Sequence, residues 1–561
     1  MSAAAASRSC PRRSSFGASP GKASLLEQAS PLLRKRPCAA TETPTPRSRR
    51  VSSPMPVRQR TSTASAIVEE PTERLGGYRP DIETMAQACG YRVGPEHAAY
   101  LDYAGTSLIS SQHSQRAEAY IQDIPQGNPH SNDEVRRHHA MVREKVLEFF
   151  GATKEEYSVV FTANATDAIR IVGQHFPYTK DSILAYDMES HTSILGLRQR
   201  ALELGASATH YDARGLKDLG TSLAPLAEIE GGRRLDFRSG AIGPNLLAVT
   251  AESNFSGNRV DFSHLKQLRE GNHKWWVLLD AAKYAASEPM NIGSLPVDFI
   301  AVSFYKIFGR PTGLGALLLH KDAAAFLSQR APYYFGGGTI AAACATSDFV
   351  AMENDPALRF ACGTPNTLAI AELPVAIAEV KYLHGSMAAS AAHSRAVARE
   401  AAWRLKSLRH SSGLELCRLY GGWAEPEPPT NQGATIAFNL IDEKGECWPF
   451  AFVEKRALAS RIILRSGSMC NHGACEKYLK ISCNVIRTSV DDGHSCLFPM
   501  DMVNGIATGA VRVSFGPVSS LTDVDRLIAF VQSFANTTMF SELLRDQHKA
   551  GLLEDMLQNG R

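Results

Sequence analysis

A single lysine stands in the turn between two apolar runs that together span residues 299–319. Its neighbours are apolar or aromatic: Phe304, Tyr305, Ile307 and Phe308. The pattern predicts a strand, an exposed turn carrying Lys306, and a second strand. Partial desolvation in such surroundings lowers the pKa of an amine and makes it a nucleophile that can form a Schiff base. Alternatively, the lysine stem simply covers apolar surface.

An aspartate follows an earlier apolar run. Trp275 to Leu279 has the composition of a buried parallel strand, and Asp280 stands at its carboxyl end. A carboxylate and a lysine delivered by successive strands suit pyridoxal phosphate (PLP). The amine binds its aldehyde, and the carboxylate keeps the pyridine nitrogen protonated so that the ring accepts electrons. Asp280 and Lys306 together therefore predict a PLP site.

A phosphate site is predicted at the start of a helix. The strand Ser158–Thr162 is followed by Asn164, Ala165 and Thr166, after which an apolar helical stripe begins. A helix N-terminus of small and hydroxyl residues offers free N–H groups and the positive end of the helix dipole to an anion. An ordinary N-cap without a ligand is the alternative.

A second chemical centre is predicted near the C-terminal end. Cys470 lies in a Gly/Ser/Asn loop after Arg465, where a thiol can be exposed and activated, although burial is the commoner fate of a free cysteine. Val511 to Phe515 alternates as an edge strand would and presents Arg512, whose planar fork suits a carboxylate. A surface ion pair is the alternative for Arg512.

Several motifs in this order resemble the class V aminotransferase family of PLP enzymes, which includes the cysteine desulfurases. Within that family the chain looks most like the aminotransferase-like part of molybdenum cofactor sulfurases, from about Tyr100 to Val531. The motifs that carry the resemblance are Tyr100–Gly105, Ser303–Gly309, Pro311–Gly315, Arg359–Asn366, Cys470–Cys475 and Val511–Gly516.

The resemblance implies a set of site residues. It implies catalytic roles for Lys306, Cys470 and His191, with Cys470 as the persulfide cysteine and His191 stacked on the cofactor ring. It implies that Arg512 anchors the substrate's α-carboxylate and that Asn254 bonds the cofactor's phenolic oxygen. The implied cofactor-binding residues are Ala165, Thr166, His191, Asn254, Asp280, Ser303, Tyr305, Lys306, Gly363 and Thr364. Because Gly363 and Thr364 would reach the neighbouring subunit's cofactor, a homodimer is implied as well.

The resemblance implies sulfur transfer from L-cysteine, which leaves as L-alanine, to a persulfide on Cys470. The acceptor would be the molybdenum cofactor, or a separate protein that carries it. A cysteine desulfurase serving iron-sulfur or thiolation pathways is the first alternative. A PLP-binding regulator without catalysis is the second.

Three features depart from the family pattern. Lys283 and Tyr305 stand where general cysteine desulfurases have Gln and His, so the hydrogen bond from that Gln to the cofactor cannot simply be transferred. Ser468 replaces a further cysteine of many sulfurases, and the role of Cys475 stays open between structural and auxiliary. The chain ends about 45 residues after Gly516, in a stretch predicted to be helical from Leu527 to Leu557, where eukaryotic sulfurases usually continue into an acceptor-binding domain.

Charge is distributed unevenly along the chain. The first 65 residues hold 12 Lys and Arg against 2 Asp and Glu, which leaves 48 basic and 55 acidic residues in the remainder. The acidic body argues against nucleic-acid binding. The Ser/Pro/Arg-rich tail favours a disordered cytoplasmic segment, with a mitochondrial transit peptide as the alternative. No run reaches the roughly 18 apolar residues of a membrane span, and the eleven scattered cysteines indicate free thiols, with no metal site.

Strands alternating with helices across residues 158–319 predict an α/β fold. The resemblance implies the type I fold of PLP-dependent transferases, with a doubly wound mixed sheet and a smaller α+β C-terminal domain. The predicted boundaries are a tail at 1–75, a PLP-binding large domain at 76–400 and a C-terminal small domain at 401–561. The N-terminal segment of the large domain is predicted to contribute to the small domain.

Overall fold

A mixed β-sheet forms the centre of the structure. The structure is a computed structural model, and it describes residues 74–212, 227–228, 243–270, 275–495 and 500–538. All of these belong to one compact unit, residues 68–561. The predicted tail lies outside the described residues, apart from its last two positions. The strands are β1 Ala99–Tyr100, β2 Tyr157–Thr162, β3 Ile183–Asp187, β4 Ser207–Tyr211, β5 Ala227–Glu228, β6 Asn245–Thr250, β7 Trp275–Asp280, β8 Phe299–Ser303, β9 Gly315–His320, β10 Ile340–Ala343, β11 Val350–Met352, β12 Cys417–Tyr420, β13 Thr435–Leu440, β14 Ile462–Ile463, β15 Arg465–Gly467, β16 Met502–Val503, β17 Ile506–Ala507 and β18 Ala510–Ser514.

The α-helices of the described residues pack around this sheet and around a second, smaller one. They are α1 Ile82–Ala88, α2 Ser111–Asp123, α3 Asp133–Phe149, α4 Ala165–His175, α5 Thr192–Leu195, α6 Leu197–Glu203, α7 Ser263–Glu270, α8 Tyr284–Ser287, α9 Phe304–Phe308, α10 Lys321–Leu327, α11 Pro356–Arg359, α12 Thr367–His384, α13 Met387–Ser407, α14 Phe450–Ala459, α15 His472–Leu479, α16 Cys483–Asp491 and α17 Leu521–Gln532. Short 3₁₀ helices occur at Ile292–Ser294 and Gly421–Ala424.

The large sheet has the order β2-β9-β8-β7-β6-β3-β4-β5, in which β5 is a two-residue edge strand. Strands β8, β7, β6, β3 and β4 run parallel, whereas β9 is antiparallel to both of its neighbours. The middle residues of its central strands, such as 246–249 and 277–279, are apolar because both faces are covered. Helices α3 and α12 pack on one face, and α4, α6 and α10 pack on the other. The predicted doubly wound mixed sheet is confirmed.

A second, antiparallel sheet has the order β12-β13-β18-β15 and packs against α13, α14 and α17. Strand β18, which carries Arg512, pairs with β13 on one side and β15 on the other. The prediction of an edge strand at Val511–Phe515 is therefore wrong. The alternating pattern suggested one exposed face, but Arg512 is only 2% exposed and both faces of β18 are buried. Strand β1 pairs in parallel with β14, through Ala99 with Ile462 and Tyr100 with Ile463.

Two further local predictions differ from the structure. The segment carrying Lys306 forms the short helix α9 between β8 and β9, with Phe304, Ile307 and Phe308 buried. It is thus not an exposed turn, because these apolar residues pack into the core below the sheet edge. The C-terminal helix α17 ends at Gln532, and residues 539–557 of the predicted helical stretch lie outside the described residues. Across the described ranges, no helix is both long enough and apolar enough to span a membrane.

We expect Ile300→Ala to destabilise the sheet. Ile300 is fully buried in β8 and pairs with Leu279 and Leu318, and truncating a buried isoleucine typically costs about 2–5 kcal/mol because it leaves a cavity. Urea unfolding measures the loss. Leu458→Ala is the control, because Leu458 is 66% exposed on α14. Equal stability of the two variants would contradict the assignment of β8 to the core.

Candidate active site

A polar cavity opens at the carboxyl ends of the parallel strands. Its volume is about 190 Å³. Its walls come from the segments that follow β2, β3, β6, β7 and β8, because parallel strands deliver their carboxyl ends to one edge of a sheet. The lining residues are Asn164, Ala165, Thr166, His191, Ser193, Thr250, Glu252, Asn254, Asp280, Ala282, Lys283, Ser303, Tyr305 and Lys306.

Eight of the ten predicted cofactor-binding residues line this cavity, and Gly363 and Thr364 do not. Both are exposed, and the Gly363 amide donates to the carbonyl oxygen of Gly337 at 2.8 Å. The cavity of a single chain is thus built without the Gly363–Thr364 pair.

Lys306 projects from α9 and its side chain is half-buried. Two hydroxyl groups fix the backbone of α9: Ser107 Oγ donates to the Lys306 carbonyl at 2.9 Å, and Thr106 Oγ1 donates to the Tyr305 carbonyl at 3.1 Å. Burial lowers the pKa of the Lys306 amine, the negative charge of Asp280 opposes this shift, and the positive charges of Arg512, Lys283 and Arg465 add to it. This shift makes the neutral, nucleophilic form of the amine easier to reach than for an exposed lysine.

Asp280 is the last residue of β7 and is 8% exposed. Its Oδ1 accepts a hydrogen bond from the Ala282 amide at 3.1 Å, which fixes the carboxylate as the chain leaves the strand. It lines the same cavity as Lys306. Asp280 and Lys306 therefore meet in one cavity, and their role in holding PLP stays a prediction.

The helix α4 begins at the cavity wall. Asn164 caps it by accepting from the Asp167 amide at 3.0 Å, and the Ala165 amide donates to Ser303 Oγ at 2.9 Å. Thr166, in the first turn, faces the cavity. Because the dipole of an eleven-residue helix places partial positive charge there, this wall favours an anionic group.

His191 and Asn254 border the cavity on the side of the cysteine loop. Nδ1 of His191 lies 2.8 Å from Ser193 Oγ, and burial lowers the histidine's pKa, which favours the neutral ring at pH 7. Asn254 Nδ2 donates to the carbonyl of Met469 at 2.8 Å. This amide therefore holds the segment before Cys470, in addition to facing the cavity.

A buried ion pair in the cavity wall was missed from the sequence. Lys283 Nζ lies 3.0 Å from Glu252 Oε1, and Glu252 Oε2 accepts from Arg259 at 2.7 Å and from Ser287 at 2.7 Å. Burial raises the pKa of Glu252, but the charges of Arg259 and Lys283 outweigh it and hold the pKa below its usual value. Glu252 follows a strand in the same way as Asp280, and this position was the available signal.

Cys470 is half-buried, and its carbonyl accepts a hydrogen bond from the Thr192 amide at 2.8 Å, next to His191. Arg512 does not line the cavity. Its guanidinium donates to Asp102 and, at 2.8 Å, to the carbonyl of Asn254. Its buried Nε has no hydrogen-bond partner among the described residues. Arg512 therefore lies directly behind the cavity wall, in a buried ion pair and not in a surface one.

Within the described ranges, no group of three or more His, Cys, Asp or Glu side chains is arranged to hold a metal ion.

Comparisons with known proteins place the fold. The model of the family Aminotransferase class-V matches residues 99–527. The molybdenum cofactor sulfurase of Arabidopsis thaliana is 38% identical over 469 residues, which cover 78% of this chain and 56% of the relative. The chain thus spans about half the length of the curated relatives that it matches.

Two solved structures show the same fold. The cysteine desulfurase CsdA of Escherichia coli aligns with a TM-score of 0.58 at 18% identity, over 80% of this chain and 98% of that one. A mutant C-DES with glycine covalently linked to the PLP cofactor aligns with a TM-score of 0.55 at 16% identity, over 78% of this chain and 97% of that one. The architecture is that of the type I PLP-dependent transferases.

We expect Lys283→Gln to raise the pKa of the Lys306 amine. The substitution removes a positive charge that opposes protonation of Lys306 and leaves Glu252 bound to Arg259 and Ser287. Competitive acetylation of the cofactor-free protein at increasing pH, followed by mass spectrometry of the Lys306 peptide, measures this pKa. Lys154→Gln, the same charge change at a lysine that is 62% exposed, should leave it unchanged. An unchanged or lower pKa in Lys283→Gln would contradict the electrostatic coupling.

Proposed function

The chain belongs to the class V aminotransferase family, and from this premise we propose that it is a PLP-dependent sulfurtransferase that takes sulfur from L-cysteine. The sulfur becomes a persulfide on Cys470, and L-alanine is released. The observation that carries the proposal is the meeting of Lys306 and Asp280 in one cavity, with the Cys470 backbone bonded to Thr192 at its rim.

The residues of the cavity fit the cofactor. The N-terminus of α4, with Thr166 and Ser303, suits the phosphate, and the buried carboxylate of Asp280 suits a protonated ring nitrogen. Lys306 suits the aldehyde, and His191 borders the space between them. When bound, PLP supplies an electron sink that makes the substrate's Cα–H bond acidic.

The chain's own residues then have separate roles in proton transfer and substrate binding. The Lys306 amine, with its pKa lowered by burial, takes the Cα proton of the substrate and returns a proton to the product. We propose that Arg512 binds the α-carboxylate through Nε, which has no partner among the described residues, once the Asn254 segment in front of it moves aside. Asp102, which holds the other edge, keeps Arg512 charged and in place before substrate arrives.

Sulfur transfer is a displacement between two cysteines. The Cys470 thiolate attacks the sulfur of the substrate, a sulfur–sulfur bond forms, and the bond from that sulfur to the substrate's β-carbon breaks. One thiol and L-cysteine thus become one persulfide and L-alanine, so no external oxidant or reductant is needed. The neutral His191 ring can accept the thiol proton. It contacts the Ser193 hydroxyl and precedes Thr192, whose amide donates to the Cys470 carbonyl.

We propose the molybdenum cofactor, free or held by a separate protein, as the sulfur acceptor. Support comes from the 38% identity to a molybdenum cofactor sulfurase. The fold shared with cysteine desulfurases keeps iron-sulfur or thiolation pathways as the second candidate. Activation of an aldehyde or xanthine oxidoreductase by the loaded protein, set against reconstitution of an iron-sulfur protein, separates the two acceptors.

We also propose a cytoplasmic location.

We propose in addition that the protein forms a homodimer. Gly363 and Thr364 are exposed and lie beside the glycine-rich segment before β10. The aromatic side chains of Tyr333, Tyr334 and Phe335 are exposed nearby, at 56%, 64% and 41%. A second copy that covers this apolar surface would bring Gly363 and Thr364 to the neighbouring cavity.

The proposal predicts different losses in two variants. Lys306→Ala should abolish both alanine release and persulfide formation, because proton transfer at Cα is lost. Cys470→Ser should abolish persulfide on the protein, because the attacking thiol is absent. Alanine is measured by chromatography and the persulfide by mass spectrometry after alkylation. A Cys470→Ser protein that still carries a persulfide from L-cysteine would reject the assignment.

Cys475 is predicted to be structural. It is 2% exposed within an apolar cluster, and burial, aided by the charge of Glu476, raises the pKa of its thiol to about 12. A thiol with that pKa is almost entirely protonated at pH 7 and is a poor nucleophile. We therefore expect Cys475→Ala to retain persulfide formation on Cys470, measured in the same mass-spectrometric assay. Loss of the Cys470 persulfide in a folded Cys475→Ala protein would show an auxiliary role.

A further inference from the structure

The segment that carries Cys470 has an unusual backbone. Met469 and Cys470 both have a φ of 56°, in the left-handed region that residues other than glycine rarely adopt. Two successive residues in this region cost free energy and persist only where their surroundings hold them. We call residues 468–471, which follow β15, the Cys470 loop, and its contacts identify what holds it.

Three successive residues of the Cys470 loop bond to the large sheet's loops. The Met469 carbonyl accepts from Asn254 at 2.8 Å, and the Cys470 carbonyl accepts from the Thr192 amide at 2.8 Å. Asn471 Nδ2 donates to the carbonyl of Glu189 and to Asn254 Oδ1, each at 2.9 Å. The loop is thus fixed between the segment after β3 and the segment after β6.

The carboxylate of Glu189 lies at the centre of these contacts. It belongs to the segment after β3 and is 2% exposed. From α15, which follows the Cys470 loop, it accepts from Lys477 Nζ at 2.8 Å and from the Tyr478 hydroxyl at 2.6 Å. From the segment after β6 it accepts from Ser256 and, at 3.1 Å, from Asn258. One buried charge therefore joins three segments, and a charge-assisted bond is stronger than a neutral one.

Close backbone contact adds to this attachment. A β-carbon placed on Gly473, in the first turn of α15, would lie 1.9 Å from the carbonyl oxygen of Met188. Glycine at this position lets α15 begin directly against the segment that carries Glu189 and His191. The helix therefore cannot shift towards that segment, and the Glu189 bonds oppose movement away from it.

We propose that Glu189 is a positioning residue that holds the Cys470 thiol at the rim of the cavity in a single place, through its carboxylate on Lys477 and Tyr478 and its backbone carbonyl on Asn471. This inference rests on the proposed function and adds to it. Cys470 acts as a fixed sulfur carrier, so the sulfur acceptor has to approach the cavity rim, where Thr192 and His191 lie. A carrier loop that swings away would have to break the bonds of Met469, Cys470 and Asn471 together.

The test separates chemistry at Cα from attack by Cys470. Exchange of the Cα hydrogen of L-alanine in D₂O needs the Lys306 amine but no thiol, whereas persulfide formation needs both. In Glu189→Gln, which keeps the shape and removes the charge, we expect alanine exchange and the KM for L-cysteine to stay close to those of the unsubstituted protein. We expect the rate of Cys470 persulfide formation to fall by about 10²-fold, as for a reacting group misplaced by about 1 Å.

Two measurements show whether the effect is local. Hydrogen–deuterium exchange should become faster in the peptide covering residues 466–478 and stay unchanged in β6 and β7. Tyr478→Phe removes the hydroxyl that bonds Glu189 and Asn258 and keeps the ring, and it should show the same pattern to a smaller extent. Glu476→Gln is the matched control on the same helix, because the Glu476 carboxylate lies near Cys483 Sγ at 3.8 Å, and it should change neither reaction.

The outcomes are distinct. Equal persulfide rates in Glu189→Gln and the unsubstituted protein would overturn the proposal, and so would equal loss of alanine exchange and persulfide formation. If the unsubstituted protein exchanges the alanine hydrogen and forms no persulfide, the proposed function itself fails.

Discussion

Compensation of buried charge governs the carboxyl edge of the large sheet. Four acidic side chains lie within or beside this edge: Glu189, Glu252 and Asp280, which are each no more than 8% exposed, and Asp102. Glu189 is paired with Lys477, Glu252 with Lys283 and Arg259, and Asp102 with Arg512, while the charge of Asp280 opposes the lowering of the Lys306 pKa. Lys477 has a second partner in Asp212 at 3.1 Å, and Glu252 keeps Arg259 when Lys283 is replaced, so one substitution leaves the remaining charges paired. Removing the last partner of a buried charge is strongly destabilising. The site therefore depends on the full set of charges, and its geometry follows from their pairing.

The sequence was most informative where structure is local. Continuous apolar runs such as Trp275–Leu279 predicted buried parallel strands, and the residues after them, Asp280 and Lys306, predicted the cavity. Two errors had physical causes. The Phe and Ile residues around Lys306 were interpreted as an exposed turn, but they form a buried helical turn. The alternation around Arg512 was interpreted as an edge strand, but the strand is covered on both sides by β13 and β15.

Long-range pairing could not be predicted in the same way. Nothing near Glu189 in the sequence indicates that it meets Lys477 and Tyr478, and nothing near Asp102 points to Arg512. These contacts cross from one sheet to the other, and their partners lie hundreds of residues apart. The family resemblance supplied residue roles, but not the contacts that hold those residues. Lys283 illustrates the difference, because its departure from the family pattern was visible while its partner Glu252 was not.

The pairing of β1 with β14 has a consequence for how the chain is made. The large sheet is built from residues 157–320, so most of its strands can pair soon after they leave the ribosome. Residues 99–100 pair with residues 462–463, and Asp102 bridges to Ser514. Because a chain is synthesised from its N-terminus, this early segment has to wait for more than 350 later residues before its partners exist. During that interval its apolar side chains, Ala99 and Leu101, lack much of the cluster that buries them in the folded protein, so this stretch is among the last to be covered.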